Sequence, residues 1–131
     1  MADTGRIQKT YDFYVDKETA AENLTKGDLV HADVTTAKVR LCDGDGTDTP
    51  PYGVVLETTS ADATGLVCWR GVVEVTATPG AAIKKITPLA AGAGKITAAW
   101  TTATAEHQIV GHALEDVTTA STEIKIMLAG W

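Results

Sequence analysis

Basic side chains are scarce and scattered in this chain. Eleven Lys and Arg stand against 17 Asp and Glu, for a net charge of −6, and Lys84-Lys85 is the only adjacent basic pair. A phosphate backbone is held by clustered cations, so nucleic acid is excluded as a partner. Long apolar runs are missing as well. No stretch approaches the roughly 20 residues that a membrane helix needs, and no membrane partner is expected. The opening Met1-Ala2-Asp3-Thr4-Gly5-Arg6 is polar and lacks a signal-peptide core, so export by that route is not expected. Only two cysteines are present, Cys42 and Cys68, too far apart in sequence for a close metal-type pair. They read as free thiols in a reducing compartment, with a Cys42–Cys68 disulfide as the alternative. Leucine is sparse, and the only serines are Ser60 and Ser121.

In their place stand 21 threonines and 20 alanines, with valine and isoleucine at alternating positions. That composition favours strands over helices. The chain also repeats itself. Gly53-Val54-Val55-Leu56-Glu57 returns 58 positions later as Gly111-His112-Ala113-Leu114-Glu115. Continued without a gap, Thr64 matches Thr122, and Leu66 and Cys68 match Ile124 and Ile126. The shared plan is a glycine, a short apolar run, a turn and an alternating strand, so the chain carries two strand–turn–strand units.

Further strands are expected at 29–32, 38–41, 65–70, 72–76, 83–86, 95–100, 108–114 and 123–128. Residues 17–25, with Thr19 and Glu22 at capping-box spacing, form the one serious helix candidate. Turn chemistry makes 43–51 a solvated loop and 88–94 a small-residue loop. The expected fold is all-β: a single-domain sandwich or small barrel over 17–131, preceded by an extended arm at 1–16. In that arm Ile7, Tyr11, Phe13 and Val15 share one face of a period-two pattern. They fit either an anchor that packs on another protein or the first strand of the domain's own sheet.

No constellation of catalytic residues emerges. The acidic loop from Asp43 to Asp48 has its glycine two places early for an EF-hand and Val54 where the bidentate Glu belongs. Gly92-Ala93-Gly94-Lys95 lacks the first glycine and the final Ser or Thr of a phosphate loop, with Leu89 and Ile96 in those places. His107 and His112 fall on opposite faces of a strand, and His31 is remote. Ser60 and Ser121 occupy matching turns, and Glu57 and Glu115 sit at matching strand ends suited to holding turn backbone. No exposed Met-Lys-Met-like hairpin offers a carrier lysine. Neither an enzyme nor a cofactor or metal site is expected. Trp69, Arg70, Val73 and the terminal Trp131 are candidates for a subunit interface, since aromatic and Arg side chains anchor interfaces. A core position for Trp69 and Trp100 fits equally.

The region 52–128 resembles a family of small capsid cement, or head decoration, proteins of tailed phages. The likeness rests on Gly53-Val54-Val55, on Ala63-Thr64-Gly65-Leu66-Val67-Cys68-Trp69-Arg70-Gly71-Val72-Val73-Glu74-Val75, and on Val110-Gly111-His112-Ala113-Leu114-Glu115-Asp116. The closing turn Thr119-Ala120-Ser121-Thr122 and strand Ile124-Lys125-Ile126-Met127-Leu128 complete it. Gly94 to Trp100 departs from the family in lacking its Asp and Tyr. The resemblance implies a virion structural protein, a homotrimer made in the host cytoplasm that binds the major capsid protein on the outside of an icosahedral shell and stabilises it. The alternative class is a β-barrel ligand-binding module in which Trp69, Trp100 and Tyr52 stack on sugar rings. Purified protein is expected to carry no stoichiometric zinc or calcium; elemental analysis finding either would overturn this reading of the acidic loop and the histidines.

Overall fold

The computed structural model describes residues 14–44, 48, 50–101 and 109–128. Nine strands make up the described chain: β1 (Tyr14–Thr19), β2 (Leu29–Asp33), β3 (Lys38–Leu41), β4 (Tyr52–Val55), β5 (Thr64–Thr76), β6 (Pro88–Ala91), β7 (Ile96–Ala99), β8 (Ile109–Ala113) and β9 (Glu123–Leu128). They join in the order β3-β2-β4-β5-β9-β8-β6-β7, with β1 paired to β5 off that path. All named pairings are antiparallel. The fold is all-β, as the composition requires.

The sheet divides at β5. Its first part, residues 64–70, pairs with β1 and β4, whereas residues 71–76 pair with β9. Each half then reads as five strands in the same arrangement: β1, β5, β4, β2, β3 in one, and β5, β9, β8, β6, β7 in the other. Each curls until its first strand meets its outer one, through parallel bridges Ala20 to Val39 and Ala77 to Ile96. The repeat seen in the sequence is therefore larger than two hairpins, because it spans the entire described chain. The second copy of the turn before the final strand is one residue longer. Glu57 accepts the N–H of Leu66, but Glu115 accepts that of Lys125. The ungapped match therefore slips by one beyond that turn.

Two glycines show why the repeated phrase begins as it does. A Cβ at Gly53 would press into the side chains of Val67 and Trp69, and one at Gly111 would collide with the carbonyl oxygen of Met127. Strands β4 and β8 lie too close to their neighbours for any side chain there.

Four expectations need correction. Residues 17–25 are not helical: β1 continues to Thr19, and Ala20 and Leu24 make isolated bridges. The Glu22 carboxylate that suggested a capping box instead accepts the Leu41 N–H at 3.2 Å, and neighbouring Glu18 accepts the Trp69 Nε1–H at 2.8 Å. Residues 65–70 and 72–76 are one continuous strand, with Gly71 at φ 116° allowing the passage between halves. The small-residue stretch at 88–94 opens with β6, flanked by β7 and β8, while Ile83 makes only an isolated bridge to Val117. Pro88 is tolerated because it is the first residue of its strand.

Two clusters of buried side chains fill the fold. Ala20, Leu24, Val30, Val39, Val55, Val67 and Trp69 line the inside of the first half. The second half encloses a matching set, including Ala77, Ile83, Leu89, Ile96, Ala113, Ile126 and Leu128. That second cluster also takes in Leu29, Cys42, Tyr52, Val54 and Cys68 from the first half's opposite face. The first sheet is thus buried on both faces, which is why β4 reads as an unbroken apolar run. Because both halves share β5 and this core, they should unfold together. Ile126→Ala, at a fully buried position, is expected to cost about 2–5 kcal/mol. Urea unfolding followed by tryptophan fluorescence and by far-UV circular dichroism should give one coincident transition; two separated transitions would show that the halves are independent.

Candidate interaction surface

No group of three or more His, Cys, Asp or Glu that could hold a metal is found among the described residues. His31 lies in β2 and His112 in β8, while His107 lies outside the described residues. Ser60 and Ser121 sit in turns: Ala63 N–H bonds to the Ser60 carbonyl, and the Ser121 hydroxyl accepts from Thr118 N–H. Glu57 and Glu115 are turn anchors, as their position suggested.

One carboxylate of the acidic loop is less solvated than its sequence implies. Asp48 is fully buried, and its carboxylate oxygens accept the N–H groups of Asp43 and Gly44, both at 2.9 Å. His31 Nε2 stands 3.4 Å from the same carboxylate. A carboxylate that receives backbone N–H groups closes a turn, and it does so here against the buried end of β2.

The proposed sugar platform does not exist as such. Tyr52 is 1% exposed and Trp69 9%, with the Trp69 indole N–H committed to Glu18. Only Trp100 is half-exposed. Of the four residues considered for a subunit interface, Trp69 is buried within the first half and Val73 packs against the core, while Arg70 is exposed. Trp131 lies outside the described residues, as do Ile7, Tyr11 and Phe13. Val15 belongs to β1, opposite Cys68, half-buried against the domain's own core.

What the structure does expose is one face of the second half. Val72, Met127, His112 and Pro88 face one another in register across β5, β9, β8 and β6. Val72 is 57% exposed, and Ile86, two residues before Pro88, is 70% exposed. Ile86, Pro88, Ile109, His112 and Met127 line a shallow, mainly apolar groove there. Sequence reasoning missed this face, although the repeat held the signal. The corresponding row of the first half, Val15, Cys68, Val54 and Leu29, is in register across β1, β5, β4 and β2 and is covered.

No protein-family model and no curated protein matches the chain by sequence. Among solved structures, the N base of the head fiber gp8.5 of bacteriophage phi29 is similar, with a TM-score of 0.61 at 15% identity. The match covers 89% of this chain and 94% of that one. The two share a fold.

Both cysteines are buried and free. Burial pushes the thiols of Cys42 and Cys68 above their ordinary value, and the nearby Asp48 and Asp43 carboxylates push Cys42 further. Both therefore stay protonated at pH 8 and unreactive. A disulfide-exchange reagent at that pH should label neither thiol in the folded protein and both in denaturant; rapid labelling of the folded protein would contradict the burial described.

Proposed function

We propose that this chain is a structural protein of a phage virion, a capsid decoration or cement protein that binds the outer surface of an assembled icosahedral head. The observation that carries this reading is a fold shared over nearly the full length of the base of a phage head fiber. The resemblance of 52–128 to head decoration proteins points the same way. Its partner in this reading is the major capsid protein, and it acts as a homotrimer, adding buried interface across joints of the shell against the pressure of packaged DNA. It is not an enzyme. The acidic surface suits a solvent-facing position and repels DNA. The carbohydrate-binding alternative loses its support with Tyr52 and Trp69 buried.

The arm remains the proposed anchor, with its boundary moved. Val15 is part of β1, so the segment available to grip the shell is 1–13, carrying Ile7, Tyr11 and Phe13. Burying these three on a partner contributes about 1.5–3 kcal/mol each, before the cost of ordering the segment. Removing residues 1–13 should leave β1 and its pairing with β5 intact, with an unchanged circular dichroism spectrum. The same truncation should lower co-sedimentation with capsids by about tenfold or more. A truncated protein that folds and still binds at full strength would remove the arm as the anchor, and one that fails to fold would make it part of the core.

A further inference from the structure

We propose that the exposed face of the second half is a joint between copies of this chain, occupied by the acidic first half of the next copy. This deepens the homotrimer reading by naming the surface that holds the copies together.

The first argument comes from the internal repeat. Within one chain, the row Val15, Cys68, Val54 and Leu29 is roofed by the second half. The matching row is exposed at Val72 and Pro88 and only half-buried at Met127 and His112. The fold thus displays its own solution for covering such a face, which is to stack the other half of the same protein on it. The intramolecular joint also shows how a hairpin turn takes part. Leu29 N–H bonds to the carbonyl of Gly94 in the β6–β7 turn, and Gly94 N–H bonds to the Cys42 carbonyl. The corresponding turn of the first half, between β2 and β3, carries Val34, an apolar side chain 89% exposed.

Ile86 supplies the second argument. Its backbone lies at φ 78°, a left-handed conformation that β-branched residues avoid. The same turn in the first half places Gly27 there, at φ 95°. The two are equivalent by their hydrogen bonds: Gly27 N–H to the Val55 carbonyl, and Ile86 N–H to the Ala113 carbonyl. A strained isoleucine, 70% exposed and lining the groove, does nothing for the monomer that glycine would not do better. Its side chain makes sense as a contact.

Charge supplies the third and fixes the occupant. Residues 1–70, up to the crossing in β5, hold twelve acidic and seven basic side chains, whereas 71–131 hold five acidic and four basic. Nearly all of the net charge thus sits on the first half. Lys84 and Lys85, the one basic pair, are exposed and adjoin Ile86. An acidic first half approaching this face meets cations and an apolar row, while two second halves would bring the lysine pairs together. The contact is head-to-tail, and head-to-tail contacts close into rings when the rotation permits. Pro88 stands where Leu29 does in the first half and lacks the N–H that holds the internal turn. The joint between copies therefore relies on side chains and is weaker than the one within the chain.

Sedimentation equilibrium of the full chain against Ile86→Gly and Met127→Lys tests this. The wild type should associate with rising concentration, at low salt more than at high. Ile86→Gly should raise the melting temperature while weakening association by about tenfold or more, a combination that a merely structural residue would not give. Met127→Lys should weaken association as well. A wild type that stays monomeric, or variants that associate as it does, would overturn the proposal. Capsid co-sedimentation run in parallel separates the two readings: association without shell binding leaves the joint standing and sinks the decoration role.

Discussion

Everything in this fold hangs on a single 13-residue strand. β5 gives its first part to one half and its second part to the other, with Arg70 and Gly71 at the crossing. No other described strand belongs to both sheets. Side-chain direction carries through the crossing, so Val67 and Trp69 face one interior and Val75 the other. The register of β1, β4 and β9 is thus set on one template, and an error of one residue in β5 would turn both cores outward. Gly71 takes the backbone conformation that allows this passage, which other residues avoid.

The two halves share a plan but have diverged in what each face is for. The first is apolar on both sides of its sheet, because its outer face is roofed by the second half. The second keeps an inner core of the same kind, while its outer face carries Pro88, His112 and Met127. A repeat folded in tandem gains a full core only where neighbours stack, and among the described residues the last unit lacks such a neighbour on one side. The charge asymmetry follows the same division.

Much of this was legible in the sequence. The alternation in Glu123–Leu128, with Ile124, Ile126 and Leu128 inward, reads directly as a half-buried strand. The recurrence of glycine and glutamate at a spacing of 58 marked positions with a shared job. Gly53 and Gly111 make room for a neighbour, and Glu57 and Glu115 hold a turn. Where local pattern misled, tertiary demand had overridden it. Thr19 and Glu22 look like a helix cap, but Glu22 is drawn to Leu41 and β1 is held by β5. Pro88 to Ala91 looks like loop because small residues carry little periodicity, yet two neighbours supply the ladder. The exposed face was hidden for a different reason. Val72, Met127, His112 and Pro88 are scattered over 56 positions of sequence and become a row only through strand register.

The meeting of β1 and β9 on β5 has a topological consequence. β1 begins opposite Arg70 and β9 ends opposite Gly71, so the described chain enters and leaves the domain at neighbouring points. Joining Leu128 to Tyr14 with a short linker would close the polypeptide into a loop without crossing either sheet. The order in which the strands are synthesised is then separable from the architecture they form. Cutting such a loop at an exposed turn, such as the one at Val34, would yield a permuted chain with both halves and their shared strand preserved.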